Sequence, residues 1–376
     1  MSPDNSTLLA DELRNLLEDN AKHLKDLSMK ATENDLAATE VDLARSLDFL
    51  QKFNHTDIPK NRKPKGDILI ILSYNEPLLV SVVPIFCALA VGNRLVVRPA
   101  SRNADLFRTI WANLIQKHNL EMSIIDAPYD AVGGVIKSVQ AVSFFGSYKN
   151  ARAIYKQCAE EFVEFLPELE SADVKVCNVE NNINETKLHE DVRTTIENAF
   201  DHNGRMCQRL SGIFVNRTIY PRYLSQLVNF LKENGFKETS KLDPSLGPIV
   251  DDIAVSSPAK MYQHKSQVVV VEPNPDGEFI RNAYFNESLW IKPYDTAREL
   301  FDELNSRQFF LGLNIVSDNP KFVDDLIKAT RFSRYTLIPD HSDIGRDYGW
   351  GGNWPTGTSG YTSWYEKFSN QYVEIR

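Results

Sequence analysis

Along the first part of the chain, apolar residues recur at intervals of three and four. Leu8, Leu9, Leu13, Leu16, Leu17, Leu24 and Leu27 make one stripe of a helical repeat, and Ala38, Val41, Leu43, Ala44, Leu47 and Leu50 make a second. Residues 1–60 are therefore predicted to be mostly amphipathic helix. The basic, proline-containing connector 59–66 reads as a solvated loop in preference to an anion site. Beyond it the pattern changes to short apolar, β-branched or aromatic runs at 67–72, 94–98, 122–126 and 141–145, alternating with helical stretches at 80–91 and 104–118. Strands that are apolar throughout and separated by helices predict a parallel sheet covered on both faces. A second block of this kind begins near Glu168. Its strands are predicted at 174–179, 212–216, 267–271, 289–293 and 313–316, and its helices at 190–201, 222–234, 296–305 and 320–329. The Gly-, Trp- and Ser-rich segment 348–360 reads as loop, and 371–375 as a final strand. The expected fold is α/β, with domains at 1–167 and 168–355, a tail at 356–376, and a ligand in the crevice between the two sheets.

Composition narrows the function classes. A length of 376 residues with 42% hydrophobic and 25% charged residues supports two cored domains and excludes the disordered class. A net charge of −9 without a basic stripe argues against a nucleic-acid partner. The cysteines Cys87, Cys158, Cys177 and Cys207 lack paired spacing, and the histidines form no ligand cluster. A reduced, cytoplasmic compartment and no metal are expected. The longest apolar run, 78–92, is interrupted by Ser81 and Pro84 and is too short to cross a bilayer comfortably, and the N-terminus lacks a signal-peptide layout, so no membrane association is expected.

Two places carry candidate chemistry. Cys207 is open between a small buried hydrophobe and a nucleophile. Arg205 and Arg209 flank it at two-residue spacing, where cations favour the thiolate, and Gly204 would permit a tight turn. The same two arginines favour an anionic substrate, although a surface arginine paired with an acid reads the same way. Gly146 and Ser147 close a predicted strand and open a helix, a position whose free N–H groups suit a pyrophosphate.

From about Lys65 to the C-terminus the order of motifs resembles the aldehyde dehydrogenase superfamily. The family's PWNFP is similar to Ser73-Tyr74-Asn75-Glu76-Pro77, its AxxxGN to residues 88–93, and its VxKPSE to Val97-Arg98-Pro99-Ala100-Ser101. FTGS appears as Phe144-Phe145-Gly146-Ser147, ELGG as Glu168-Leu169-Glu170-Ser171, and NxGQxC as His202-Asn203-Gly204-Arg205-Met206-Cys207. The closing glycine-rich motif resembles Gly351-Gly352, Thr358-Ser359-Gly360 and Phe368-Ser369.

The resemblance implies an aldehyde-dehydrogenase-like pair of Rossmann-like domains with a small oligomerisation extension. It implies NAD(P)-dependent oxidation of an aldehyde to a carboxylic acid through a thiohemiacetal and a thioester on Cys207. Asn75 would stabilise the oxyanion and Glu168 would act as base, unless Glu168 is simply a solvated glutamate in an acidic stretch. Ser73, Tyr74, Arg98, Ser101, Gly146, Ser147, Leu169 and Glu287 fall at cofactor positions. Ser101 stands where NAD-preferring members often carry glutamate, and Arg98 and Arg102 lie nearby, so NADP is expected to be tolerated or preferred. Glu287 matches a late ribose-binding glutamate without the Phe-Gly-Pro that normally follows it. The chain departs from the pattern at Glu170 and Ser171, which replace two glycines, and at Arg205, which replaces glutamine. These departures keep two further readings open. One is a reductive acyl-CoA or acyl-phosphate reductase, in which a weakened base protects the thioester from water. The other is a non-catalytic relative. A small aldehyde or acyl substrate, and a homodimer built through the terminal strand, complete the expectation.

Overall fold

Every internal strand and helix expected from the apolar pattern forms, in two α/β units. The computed structural model describes residues 2–126, 128–169, 172–179, 184–204, 206, 209–247, 249–274, 287–306, 310–332, 334–337 and 364–371. One unit holds the described residues up to Leu169 together with those from Trp364 onward; the other holds those from Ala172 to Leu337.

The first unit begins with α1 (Pro3–Asp19), α2 (Ala21–Thr32) and α3 (Leu36–Gln51). Ser2 and Asp35 cap α1 and α3, accepting from the amides of Asn5 and Ala38. Leu9, Leu13, Leu17, Leu24, Leu43 and Leu50 are buried as the stripes require, whereas Leu8 and Val41 face outward. Adjacent leucines sit about 100° apart on a helix, so Leu9 takes the core position and Leu8 is left outside.

There follow β1 (Arg62–Pro64), β2 (Asp67–Ile71), α4 (Pro77–Val91), β3 (Arg94–Arg98), α5 (Ala104–Lys117), β4 (Met122–Ile124), α6 (Gly133–Ile136), β5 (Ala141–Gly146), α7 (Tyr148–Glu160) and β6 (Glu164–Leu169). Strands β2 to β6 form a parallel sheet in the order β4-β3-β2-β5-β6. Within β2, Ile68 and Ile70 enter one apolar cluster with α1–α5, while Leu69 and Ile71 enter another with α6 and α7. The two-residue period of the strand thus feeds both faces of the sheet. Helix α4 is apolar all round, and every residue in it but Val91 is buried, which makes it an interior helix and not a surface one.

The second unit contains β7 (Ala172–Asn178), α8 (Glu185–Phe200), β8 (Leu210–Asn216), α9 (Tyr220–Glu233), β9 (Lys237–Thr239), α10 (Ile249–Val255), β10 (Lys260–His264), β11 (Gln267–Val271), β12 (Ser288–Tyr294), α11 (Ala297–Asn305), β13 (Phe310–Ser317), α12 (Pro320–Ala329) and β14 (Arg334–Thr336). Its sheet runs β14-β13-β7-β8-β12-β11-β10-β9; the pairings are parallel except β11-β10 and β10-β9. Gly212 is required in β8, since a Cβ there would lie 1.9 Å from the Trp290 ring of β12.

The chain then returns to the first unit as α13 (Trp364–Lys367) and β15 (Ser369–Gln371), and β15 pairs antiparallel with β1. Three expectations change here. The connector 59–66 contains a strand, because Arg62-Lys63-Pro64 finds a partner at the far end of the chain. The final strand starts at Ser369, two residues earlier than expected, and 372–376, like 348–360, lie outside the described residues. The acidic stretch before Glu168 is strand β6, with Phe165 and Leu166 buried. Among the described residues no helix is long and apolar enough to cross a membrane, and no group of ligand-type side chains is placed to hold a metal.

Candidate active site

In the first unit the chain passes from β2 outward to β3 and β4 on one side, then crosses to β5 and β6 on the other. The strand order therefore reverses between β2 and β5, and in such sheets ligands bind beyond the carboxyl ends at that reversal. Ser73, Tyr74 and Asn75 follow β2, while Gly146 ends β5 and Ser147 follows it. Arg98 ends β3 and is buried, Ser101 lies exposed just beyond it, and Leu169 ends β6. The topology thus brings the expected cofactor residues of this unit to one edge.

Local contacts hold that edge in shape. The Asn103 amide donates to the Ser73 carbonyl at 3.2 Å, and the Leu72 amide donates to the Arg98 carbonyl at 3.0 Å. The Arg102 guanidinium lies 5.4 Å from the centre of the Tyr74 ring. Beyond Asn75, Glu76 takes a left-handed backbone (φ 46°) and accepts from Arg45 at 3.3 Å. The N-terminus of α4 is closed by Asp42 of α3, whose two carboxylate oxygens accept from the Leu78 and Leu79 amides at 3.0 and 2.8 Å. Asp42 thereby occupies the first amides of α4. Helix α7 is capped by Ser147, has no acid in its first turn, and follows a Gly146 where a Cβ would lie 3.0 Å from the Phe144 ring. These residues fit the phosphate half of a dinucleotide, with Arg98 and Arg102 as nearby cations.

Glu168 has an occupied carboxylate. Lys367 of α13 donates its ammonium to Glu168 Oε1, and both side chains are buried, at 1% and 8% exposure. Sequence reasoning did not single out Lys367. The signal available was a lysine set three residues after a tryptophan in an aromatic run, Trp364-Tyr365-Glu366-Lys367-Phe368.

In the second unit the amino ends of β7, β8 and β12 lie side by side. A short helical turn at Asp201–Gly204, in which Asn203 has a left-handed backbone (φ 52°), comes shortly before β8 in the chain. Cys207 and Arg205 lie outside the described residues, as do Glu170 and Ser171. Arg209 is buried and donates Nη1 to the Ser288 carbonyl at 2.8 Å; burial pulls its proton affinity down, to a value of about 10. That contact ties β8 to β12. Glu287, next to Ser288, is half-buried and accepts from the Ser266 hydroxyl and from Gln267 Nε2. Asp173 at the start of β7 pairs with Arg334 of β14 and is fully buried. The other cysteines are unsuited to attack: Cys87, Cys158 and Cys177 are buried, and desolvation pushes the thiols of Cys158 and Cys177 up to about 12.

A doubly wound parallel sheet whose strand order reverses beside a helix N-terminus is the frame on which α/β proteins bind dinucleotides. The chain belongs to the aldehyde dehydrogenase family, whose profile matches residues 3–294. It is 24% identical over 331 residues to the 4,4'-diapolycopene-4,4'-dial dehydrogenase of Cytobacillus firmus, covering 82% of this chain and 70% of that protein. To the 2-hydroxymuconic semialdehyde dehydrogenase of Pseudomonas putida it is 22% identical over 291 residues, 69% of this chain and 59% of that protein. Among solved structures it resembles the glyceraldehyde-3-phosphate dehydrogenase GapN of Methanocaldococcus jannaschii complexed with NADP, with TM-score 0.80, 18% identity, and coverage of 98% of this chain and 89% of the other. It also resembles aldehyde dehydrogenase 21 of Physcomitrella patens in complex with succinate, with TM-score 0.81, 15% identity, and coverage of 99% and 85%. The expected family and fold are thereby established.

Proposed function

We propose that this chain is an NAD(P)-dependent oxidoreductase that converts a small aldehyde to a carboxylic acid through a covalent intermediate on Cys207. The observation that carries the reading is the gathering of Ser73, Asn75, Arg98, Gly146 and Ser147 at the reversal edge of the first sheet, in a chain whose family is defined by this chemistry. The relatives named above act on aldehydes, and one neighbour binds NADP.

Bound at this edge, the dinucleotide supplies the hydride acceptor. Ser147 and the α7 end would hold its phosphates, Arg98 would serve the ribose, and Ser101 with Arg102 would leave room for a 2′-phosphate, so both NAD and NADP would be accepted. Cys207 attacks the aldehyde carbonyl as thiolate, forming the carbon–sulfur bond of a thiohemiacetal. The Asn75 amide and the Cys207 N–H stabilise its oxyanion, a role of about 3 kcal/mol per donor in such sites. Loss of hydride from the former aldehyde carbon leaves a thioester. Glu168 accepts a proton from the water that attacks this thioester, and the acid and the free thiol separate. Arg205 remains the candidate for an anionic substrate group, whereas the contact to Ser288 gives Arg209 a structural task.

A second reading, reduction of an acyl-CoA or acyl-phosphate, rests on the replacement of the family's two glycines by Glu170 and Ser171. Absorbance at the nicotinamide band decides between the two. Aldehydes run with NAD⁺ and NADP⁺, and acyl-CoAs run with NADH and NADPH, give turnover in the first panel on our reading and in the second on the alternative. Silence in both, with cofactor still bound, points to a non-catalytic relative.

Thiol chemistry gives an independent check. Native protein treated with iodoacetamide near neutral pH is expected to lose one thiol per chain well before the rest, and Cys207→Ala should remove that fast phase. Equal, slow labelling of all four cysteines would count against an activated Cys207.

We further propose a homodimer. Support comes from the terminal strand β15, which with β1 forms a two-stranded ribbon that a neighbouring sheet could extend. Sedimentation at micromolar concentration should show the dimer, and a monomer throughout would refute it.

A further inference from the structure

We infer that Lys367 is a positioning residue for Glu168: it holds the carboxylate ionised and in one place at the end of β6, so that the two side chains act as a single charge-neutral unit. This deepens the proposed function and rests on Glu168 serving as its base.

The placement follows from the pleat. Along β6, Phe165 and Leu169 enter the cluster beneath α7, while Leu166 enters the opposite cluster with Phe145, Trp364, Tyr365 and Phe368. Alternation therefore turns Glu168 toward the Leu166 side, where α13 lies. Phe145 stands directly across from Glu168 in the β5-β6 register. It stacks on Trp364 with ring centres 5.8 Å apart, and Trp364 stacks on Phe368 at 5.7 Å. The Lys367 ammonium lies 4.8 Å from the centre of the Trp364 ring and 5.7 Å from that of Phe145. A buried ammonium loses its hydration, and here two ring faces and one carboxylate replace it. Burial pulls the Lys367 proton affinity below its ordinary value, and Glu168 opposes that pull.

The neighbouring charges are committed elsewhere. Glu366, next to Lys367, pairs with Arg62 at 3.6 Å, and Glu164, at the far end of β6, pairs with Lys65 at 2.6 Å. Strand β5 has no ionisable side chain. On α7, Lys156 pairs with Glu160, Tyr155 packs on Phe165, and Tyr148, Lys149 and Arg152 lie toward the cofactor end. Among the described residues, Glu168 is the charge that acts on Lys367.

The consequence is kinetic. Without Lys367 the carboxylate loses a buried counter-charge in an aromatic setting, which raises its proton affinity and makes it less able to accept a proton from water. Hydride transfer precedes that step and is spared. The test compares wild type, Lys367→Met, Lys367→Arg and Glu168→Gln, using the first-turnover burst of NAD(P)H and the pH profile of steady-state turnover. Lys367→Met is expected to keep its burst, lose about tenfold or more of its steady rate at pH 7, and shift the acid limb upward by about one unit or more. Lys367→Arg should restore the limb, and Glu168→Gln should abolish it. Burst and steady rate falling together in Lys367→Met, with the limb unmoved, would overturn the positioning role and leave a structural one.

A second measurement guards against misfolding. In urea unfolding, the charge-free double variant Glu168→Gln/Lys367→Met should be more stable than Lys367→Met alone, and equal or lower stability would overturn the pairing. If wild type is silent in both assay panels while this coupling persists, the proposed chemistry falls and the positioning role falls with it. An active wild type with an unmoved limb defeats the inference alone.

Discussion

Cys207→Ala is expected to abolish aldehyde-dependent NAD(P)H formation, a loss of at least about 10⁴-fold, while cofactor binding and helix content stay unchanged. Without the thiol no thiohemiacetal forms, so no carbon bearing a negative oxygen is present to release hydride. Removing a nucleophile that acts as part of a unit costs nearly the whole rate enhancement, which sets the magnitude. Dinucleotide binding is expected to be spared because the residues proposed for it, at the carboxyl edge of the first sheet, do not include Cys207. The check is steady-state absorbance on the aldehyde that wild type turns over best, paired with cofactor fluorescence titration of both proteins. Residual turnover above a few per cent would remove Cys207 from its proposed role.

Asp191→Ala is expected to have the largest effect on stability. Lys175 of β7 lies beneath the second sheet, its ammonium 2.5 Å from Asp191 Oδ1 and 2.7 Å from the Thr195 hydroxyl, and both charged side chains are under a tenth exposed. The Tyr223 hydroxyl of α9 donates to the other Asp191 oxygen at 3.1 Å, and this setting holds its proton well above the ordinary range. Truncating Asp191 leaves a buried ammonium without its counter-charge, a loss of about 3–5 kcal/mol. At roughly 2–4 °C per kcal/mol the thermal midpoint of the second unit should fall by about 10 °C. Replacing both partners, as in Lys175→Met/Asp191→Leu, should recover most of that loss, because an apolar pair needs no solvation. Calorimetry of the three proteins gives the answer, and an Asp191→Ala midpoint within 2–3 °C or so of wild type would show that the pair is not the anchor described.

Most strands could be read from the sequence because parallel strands buried on both faces announce themselves as unbroken apolar runs, as in Ile68-Leu69-Ile70-Ile71 and Val268-Val269-Val270-Val271. Strand β6 was harder to see, since an edge strand with one charged face reads as an acidic surface segment. Its register against β5 sets Glu168 directly across from Phe145. Strand β1 carries no local signal at all, because Arg62-Lys63-Pro64 becomes a strand only when Ser369-Asn370-Gln371 lies beside it. Arg209, adjacent in sequence to the cysteine's loop, reads as a substrate contact, yet its guanidinium turns inward to the Ser288 carbonyl. Spacing of two residues along a chain entering a strand does not determine which way a long side chain points.

By itself the sequence determined the element types, the two-block α/β order and the motif series from Asn75 through Cys207 that marks the family, because periodicity and short motifs are local properties of the chain. Tertiary structure decided what each group works against: Asp42 closing α4, β15 completing β1, and Lys367 meeting Glu168 on an aromatic floor. Those pairings join residues far apart along the chain, and their strength depends on burial and register, which exist only once the sheet has formed.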